Sequence, residues 1–400
     1  MTLGGISSGL EVIASNPKLA ASWGRCGLLS NQASVTTAFV PAWRVLSDLL
    51  QRRLVALFGP QHGFAGVVQD NMIETGHARH QPTGLPIYSL YSETRQPTAD
   101  MMRDLDTLII DLQIVGCRIY TWKSTIAACL RAAKRDGKHI VILDRPNPVG
   151  GELVEGRVLD DDAHSFVGEF PIPMRHGLTA AEAARFFNDE IGASLDVVPM
   201  TQWEPHTYWC HLTRPWVLTS PNLPTPDPVY VYPGTVMLEG TNLSEGRGTG
   251  LPFQLIGAPY ISSSIGFINR VHDLIGNPPG VYLREASFQP TSQKWQGKEC
   301  QGLQIHVIDP SKVRSYELTL AIIKAAWDVG GGGFAWQKPP YEYDHVTTPI
   351  KLIVGSHQVT EHLSADRFDP SDSFWSHGIP NYIKRAEKHL LYRRTLRVAD

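Results

Sequence analysis

Five short apolar runs in the first half of the chain constrain its fold more than any other feature: "RCGLLSN" (25–31), "LVALFGP" (54–60), "LPIYSLY" (85–91), "DTLIIDLQ" (106–113) and "KHIVILDRPN" (138–147). Each is apolar nearly throughout instead of alternating, which suits strands buried on both faces, as in a parallel sheet. Segments with helical spacing lie between and after them, at 40–53, 98–105, 120–137 and 179–192. In the third, Ile126, Leu130 and Ala133 share a stripe, and Gly137 follows Lys134 and Arg135 as a stop signal. Thr179 with Glu182 three residues on has the capping-box pattern. Such alternation predicts an open α/β sheet with right-handed crossovers.

A chain of 400 residues is long enough for two domains. Residues 1–205 are predicted to form the α/β domain and 206–400 a smaller, mixed α+β domain. Near the junction, seven prolines from Pro205 to Pro233 read as a connecting stretch with fixed bends, because proline locks φ and removes a donor. Beyond it "GVYLREASFQP", "CQGLQIHVID" and "PIKLIVGS" read as strands, "SYELTLAIIKAAWDVG" as a helix and "GGGG" at 330–333 as a turn.

The balance of 42% apolar and 19% charged residues, with a formal charge of −3, excludes a disordered chain and gives no basic surface for nucleic acid or a membrane. No apolar stretch approaches the roughly 18–20 residues that span a bilayer, and the start lacks the pattern of a secretory signal, so a cytoplasmic location is expected. Five scattered cysteines have no zinc or redox spacing and are expected to be buried thiols.

In open α/β sheets ligands bind beyond the carboxyl ends of the strands. Here those ends deliver Asn31 and Gln32; Gln61 and His62; Ser89, Tyr91 and Glu93; Asp111 and Gln113, with Arg118 and Tyr120 shortly after; then Asp144, Arg145 and Asn147. Any one of these reads more readily as a cap or loop residue, whereas five consecutive polar strand ends point to a site. A second cluster, "YPGTVMLEGTNLSEGRGTGLPF" (232–253), carries Glu239, Asn242, Glu245 and Arg247 among glycines that permit close backbone approach. Its glycine spacing is not the dinucleotide fingerprint. There is also no P-loop, no nucleophile elbow, and no third ligand spaced to join His77 and His80, so no cofactor and no metal are expected.

The ordered motifs "LFGPQHGF", "TGLPIYSLY", "DLQIVGCRIYTW", "LDRPNPVGG", "SFVGEFPIPMRHGLT", "SPNLPT", "YPGTVMLEGTNLSEGRGTGLPFQLIGAP" and "PPYEY" resemble, over nearly the whole chain, the exo-β-N-acetylmuramidase family of bacterial glycoside hydrolases. The resemblance implies a Rossmann-like N-terminal domain, a smaller C-terminal domain, a cleft between them, and release of terminal N-acetylmuramic acid (MurNAc) from peptidoglycan fragments in cell-wall recycling. The implied partner is a small saccharide of the MurNAc–GlcNAc type. One departure matters: many relatives carry a glutamate, their strongest catalytic candidate, where this chain has Gln61, and an amide cannot ionise.

Glycoside hydrolysis normally uses two carboxyl groups, one protonated and one ionised. Glu74, on the loop after "LVALFG", is the expected general acid, its carboxyl enclosed near Phe64 and Met72. Glu245, held in charged form by Arg247, is the expected partner, with Asp111 and Glu239 as alternatives. Gln61, His62 and Asn242 are expected to orient sugar hydroxyls or the acetamido group, Tyr120 and Asn147 to contact the sugar, and Arg118 or Arg247 to pair with the lactyl carboxylate. A saccharide-binding module without turnover, or an esterase or amidase acting on wall fragments, would occupy a similar cleft.

Overall fold

The computed structural model describes residues 5–399. Its strands in chain order are β1 (Cys26–Ser30), β2 (Leu54–Gly59), β3 (Ala78–Arg79), β4 (Pro86–Ser89), β5 (Thr107–Asp111), β6 (His139–Leu143), β7 (Leu153–Val154), β8 (Ser194–Val198), β9 (Leu255–Ala258), β10 (Val281–Phe288), β11 (Cys300–Val307) and β12 (Arg397–Val398). The main sheet has the order β3-β4-β2-β1-β5-β6-β8, and every pairing in it is parallel except that of the edge strand β3 with β4. Counted alone, its six parallel strands run 3-2-1-4-5-6, the doubly wound order whose direction reverses between β1 and β5.

Alternation of side chains splits the apolar content of each strand between two cores. Leu28, Leu57, Ile109 and Val141 pack on one side with Leu10 and Ile13 of the helix Gly9–Ser15 and Leu46 and Leu50 of the helix Ala42–Leu50. Leu29, Phe58, Ile110 and Ile142 pack on the other with the helices Trp122–Asp136 and Ala180–Ile191. That is why these strands read as unbroken apolar runs. The expected capping box is formed: the Thr179 hydroxyl accepts from the Glu182 N–H, and the Glu182 carboxylate accepts from the Thr179 N–H.

The second half adds the antiparallel sheet β10-β11-β9. Two expectations there are corrected. "PIKLIVGS" is a helix, Pro349–Val354, with proline at its first turn and Gly355 in the left-handed conformation at its end; the short apolar run had no period to separate strand from helix. The proline stretch also contains a helix, Pro226–Thr235, whose first prolines sit where their missing N–H groups have no helical partner anyway. The chain's end returns to the first half. β12 pairs with β7, and Arg394 pairs with Glu182 at 2.5 Å.

Candidate active site

A chamber lies beyond the carboxyl ends of β2 and β5. Its walls come from Gln61 and His62 after β2, Tyr120 and Thr121 after β5, and Tyr232, Glu239, Arg247, Phe253, Tyr341 and Glu342 from the second half. Glu342 is the most deeply perturbed carboxyl of the chamber. It is 6% exposed; its Oε2 accepts from the Tyr91 hydroxyl at 2.9 Å and its Oε1 from the Gln61 amide at 3.4 Å. Burial pushes its carboxyl up from 4.5 to about 7; the Tyr91 bond pulls down, the Glu239 charge pushes up, and Gln61 and Arg95 pull down more weakly. The amide of Gln61 is orientated from its other end: the Thr121 hydroxyl donates to its Oε1, so its Nε2 faces Tyr91, at 3.0 Å, and Glu342.

The second carboxylate in the chamber is Glu239. Arg247 meets its Oε1 at 2.7 Å and the Tyr341 hydroxyl donates to its Oε2 at 2.7 Å. Arg247 also lies 3.7 Å from Glu245 and over the ring of Phe253. Glu245 is bound behind it by Lys294 at 2.7 Å, and Lys294 donates in addition to the carbonyls of Leu238 and Leu243. Burial raises the Glu245 carboxyl, but the charges of Lys294 and Arg247 outweigh that and hold it below the ordinary range.

His62 donates from or accepts at Nδ1 with the Val68 carbonyl at 2.8 Å, and burial pushes its ring down to about 4, so it is neutral near pH 7. Three of the chamber's non-glycine residues hold left-handed backbone: His62 (φ 73°), Phe253 (φ 63°) and Glu342 (φ 41°). Residues held this way cost on the order of 1–3 kcal/mol each and concentrate at functional sites.

Of the residues singled out in the sequence, Gln61, His62, Tyr120, Glu239 and Arg247 line the chamber, and Glu245 stands behind Arg247. Glu74 does not have the enclosure expected of it: its side chain is 57% exposed and pairs with Arg95 at 2.9 Å, because the loop carries it outward past Met72. Asp111 is fully buried in a two-pronged pair with Arg145, which also donates to the Val35 carbonyl. Arg118 is corrected from ligand to scaffold. It spends its guanidinium on four backbone carbonyls, those of Arg157, Ile172, Ile353 and Val354. Asn147 bonds the Leu178 carbonyl and the Val149 N–H. Asn242 bonds the Gly333 carbonyl, the Ala335 N–H and the Tyr260 hydroxyl, so both amides brace loops. Among the described residues no group of three or more His, Cys, Asp or Glu side chains is placed to hold a metal ion, and no helix is long and apolar enough to cross a membrane.

Fold and chamber together define an α/β protein equipped for acid–base chemistry: a carboxyl that keeps its proton up to about pH 7 and an arginine-paired carboxylate share one cavity. The comparisons give the family. The N-terminal model of exo-β-N-acetylmuramidase NamZ matches residues 26–227 and the C-terminal model matches 230–392, so the chain belongs to the NamZ exo-β-N-acetylmuramidase family. It is 42% identical over 328 residues to the peptidoglycan β-N-acetylmuramidase NamZ of Bacillus subtilis (strain 168), covering 81% of this chain and 78% of that protein. Two crystal structures of DUF1343 family proteins from Bacteroides fragilis NCTC 9343 share the fold. One superposes with a TM-score of 0.85 at 31% identity, over 97% of this chain and 99% of the other; the second with 0.72 at 27%, over 98% and 99%.

Proposed function

We propose that the chain is a glycosidase releasing terminal MurNAc from the non-reducing end of peptidoglycan-derived saccharides such as MurNAc–GlcNAc, with Glu342 as the general acid and Glu239 as its ionised partner. The observation that carries this is Glu342 itself: a buried carboxyl pushed to about 7, in a chamber it shares with Glu239. A protonated carboxylic acid near neutrality is what a poor alkoxide leaving group needs, and the opposite carboxylate serves as nucleophile or as base for water. Gln61 takes a part open to an amide. It donates to Glu342 and stabilises the carboxylate left after proton transfer. Arg247, held by Glu239, is the cation of the chamber that can also meet the lactyl carboxylate, since Arg118 is consumed by carbonyls.

The free space in the chamber is about 40 Å³, far below the roughly 300 Å³ at the low end of small-molecule sites, so a sugar enters only when a wall moves. One wall is the loop 62–76, held at Thr75 by Ser89 and the Tyr91 carbonyl. The Met72 sulfur accepts from the Glu342 N–H, Asn222 bonds the Gln69 carbonyl, and Glu74 meets Arg95. Arg95 itself lies over the rings of Tyr91 and Tyr343, so Glu74 acts on the loop's closure in this scheme and not on the bond. Five unpaired cysteines among the described residues, four of them buried, favour a reducing compartment and hence action on wall fragments in the cytoplasm.

The direct test is incubation of the purified protein with MurNAc–GlcNAc in EDTA, with chromatographic detection of free MurNAc. Release supports the reading. Tight binding of the disaccharide without release, in parent and in Gln61→Glu alike, replaces it with a saccharide-binding role.

A further inference from the structure

Outside the chamber lies a trough of about 750 Å³, within the roughly 300–1,000 Å³ of small-molecule sites, and it shares one lining residue with the chamber, Arg247. Its polar lining is almost wholly uncharged. Gln69, Asn222, Thr249, Gln289, Ser292 and Gln293 offer neutral amides and hydroxyls, against a single anion, Asp70, and the already paired Arg247. Phe288, Pro221, Pro224 and Pro252 supply apolar surface of the kind that meets a sugar's C–H face. Neutral groups that both donate and accept match sugar hydroxyls and acetamido groups, and match an ionised peptide poorly.

The trough wall is tied to the catalytic segment. Gly248 (φ 76°) approaches the Ser292 backbone so closely that an added Cβ would stand 2.5 Å from its carbonyl oxygen. Thr291 bonds the Gly248 carbonyl through both N–H and hydroxyl at 2.8 Å, and the following Lys294 grips Glu245. Gln293 holds a left-handed φ of 66° on that wall. A Cβ built on Gly250, by contrast, has no atom within 4 Å, which leaves that part of the trough open.

We infer that this trough is the leaving-group subsite, binding the neutral N-acetylated saccharide on the far side of the scissile bond, with Arg247 at the junction. The inference rests on the reading of the chamber as the MurNAc site.

The test compares kcat/KM for MurNAc–GlcNAc with that for the 4-nitrophenyl β-glycoside of MurNAc, which has no sugar in the leaving group. Gly250→Leu fills the trough from a position with room for a side chain and offers no hydrogen bonds or flat ring. Ser292→Ala with Gln293→Ala removes two polar groups from its wall. Each is expected to lower the ratio of disaccharide to aryl-glycoside kcat/KM by about tenfold, through KM, as the loss of two modest hydrogen bonds would. An unchanged ratio, or an equal loss on both substrates, overturns the subsite. If the parent cleaves neither substrate, the reading of the chamber fails separately. The trough is then judged by titration with N-acetylglucosamine oligomers, where binding weakened by Gly250→Leu supports it and no binding to the parent overturns it.

Discussion

Replacing Glu342 by glutamine isolates the group on which the proposed chemistry depends and has a stability signature of its own. Because the folded carboxyl sits near 7 against 4.5 when exposed, the folded chain holds a proton between those values that the unfolded chain has released. Stability therefore falls as pH rises across this window, with nothing lost below about 4.5 and the full penalty present above about 7. At ~1.36 kcal/mol per pH unit the penalty is about 3 kcal/mol. Glu342→Gln keeps the shape and removes the charge, so the variant should be more stable than the parent at pH 8 by a value of that order, with the difference shrinking toward pH 4.5. Urea unfolding of both proteins at several pH values measures this. The same variant should lose at least ~10²-fold in kcat on MurNAc–GlcNAc, and much less on the aryl glycoside, whose leaving group hardly needs a proton. A variant no more stable at pH 8 than at pH 5 relative to the parent, or fully active on the disaccharide, would refute the assignment.

Activity of the parent on the disaccharide should fall as pH rises through about 7, as Glu342 loses its proton, and the aryl glycoside should lack that limb; coincident profiles for the two substrates would contradict the role. Glu74→Gln breaks an exposed ion pair worth about 0–1 kcal/mol, so kcat should stay within a few-fold and any change appear in KM; a ~10²-fold loss of kcat would return Glu74 to the chemistry. Glu239→Gln should abolish turnover on both substrates and leave Arg247 short of a partner, lowering stability in thermal denaturation. Equal activity there would move the ionised role to Glu245. Gln61→Glu sets a second carboxyl about 3.4 Å from Glu342, and two such groups cannot both ionise, so the basic limb of the disaccharide pH profile should shift upward; an unmoved limb would show that Glu342 does not set it.

The layout of the first half was legible because periodicity and burial carry the same information in a parallel sheet. Residues facing both cores must be apolar, so β1, β2 and β5 announced themselves within a residue or two of their ends, and β6 at its start, though it stops at Leu143, four residues before the run expected to reach 147. β8 (Ser194–Val198) did not: its outward positions are exposed at the sheet edge, and Asp196 breaks the apolar run. The helix Pro349–Val354 failed for the opposite reason, being buried on nearly all sides and too short to show a period.

At the site, sequence separates roles only where a side chain's chemistry is set by near neighbours. Glu245 could be paired with Arg247 because the two are close in the chain, and the structure adds Lys294 from 49 positions away. Glu342 offered no such cue. Its raised carboxyl comes from burial and from the charge of Glu239, 103 positions away, against the pull of the Tyr91 hydroxyl, and nothing in its own segment, "PPYEY", shows that burial. The departure at Gln61 was therefore visible while its counterpart was not. Under the proposed mechanism an amide at this position leaves the proton to another carboxyl, and the geometry narrows the choice: within hydrogen-bond reach of Gln61 stand Tyr91, Thr121 and Glu342, and only the last can deliver a proton near neutrality.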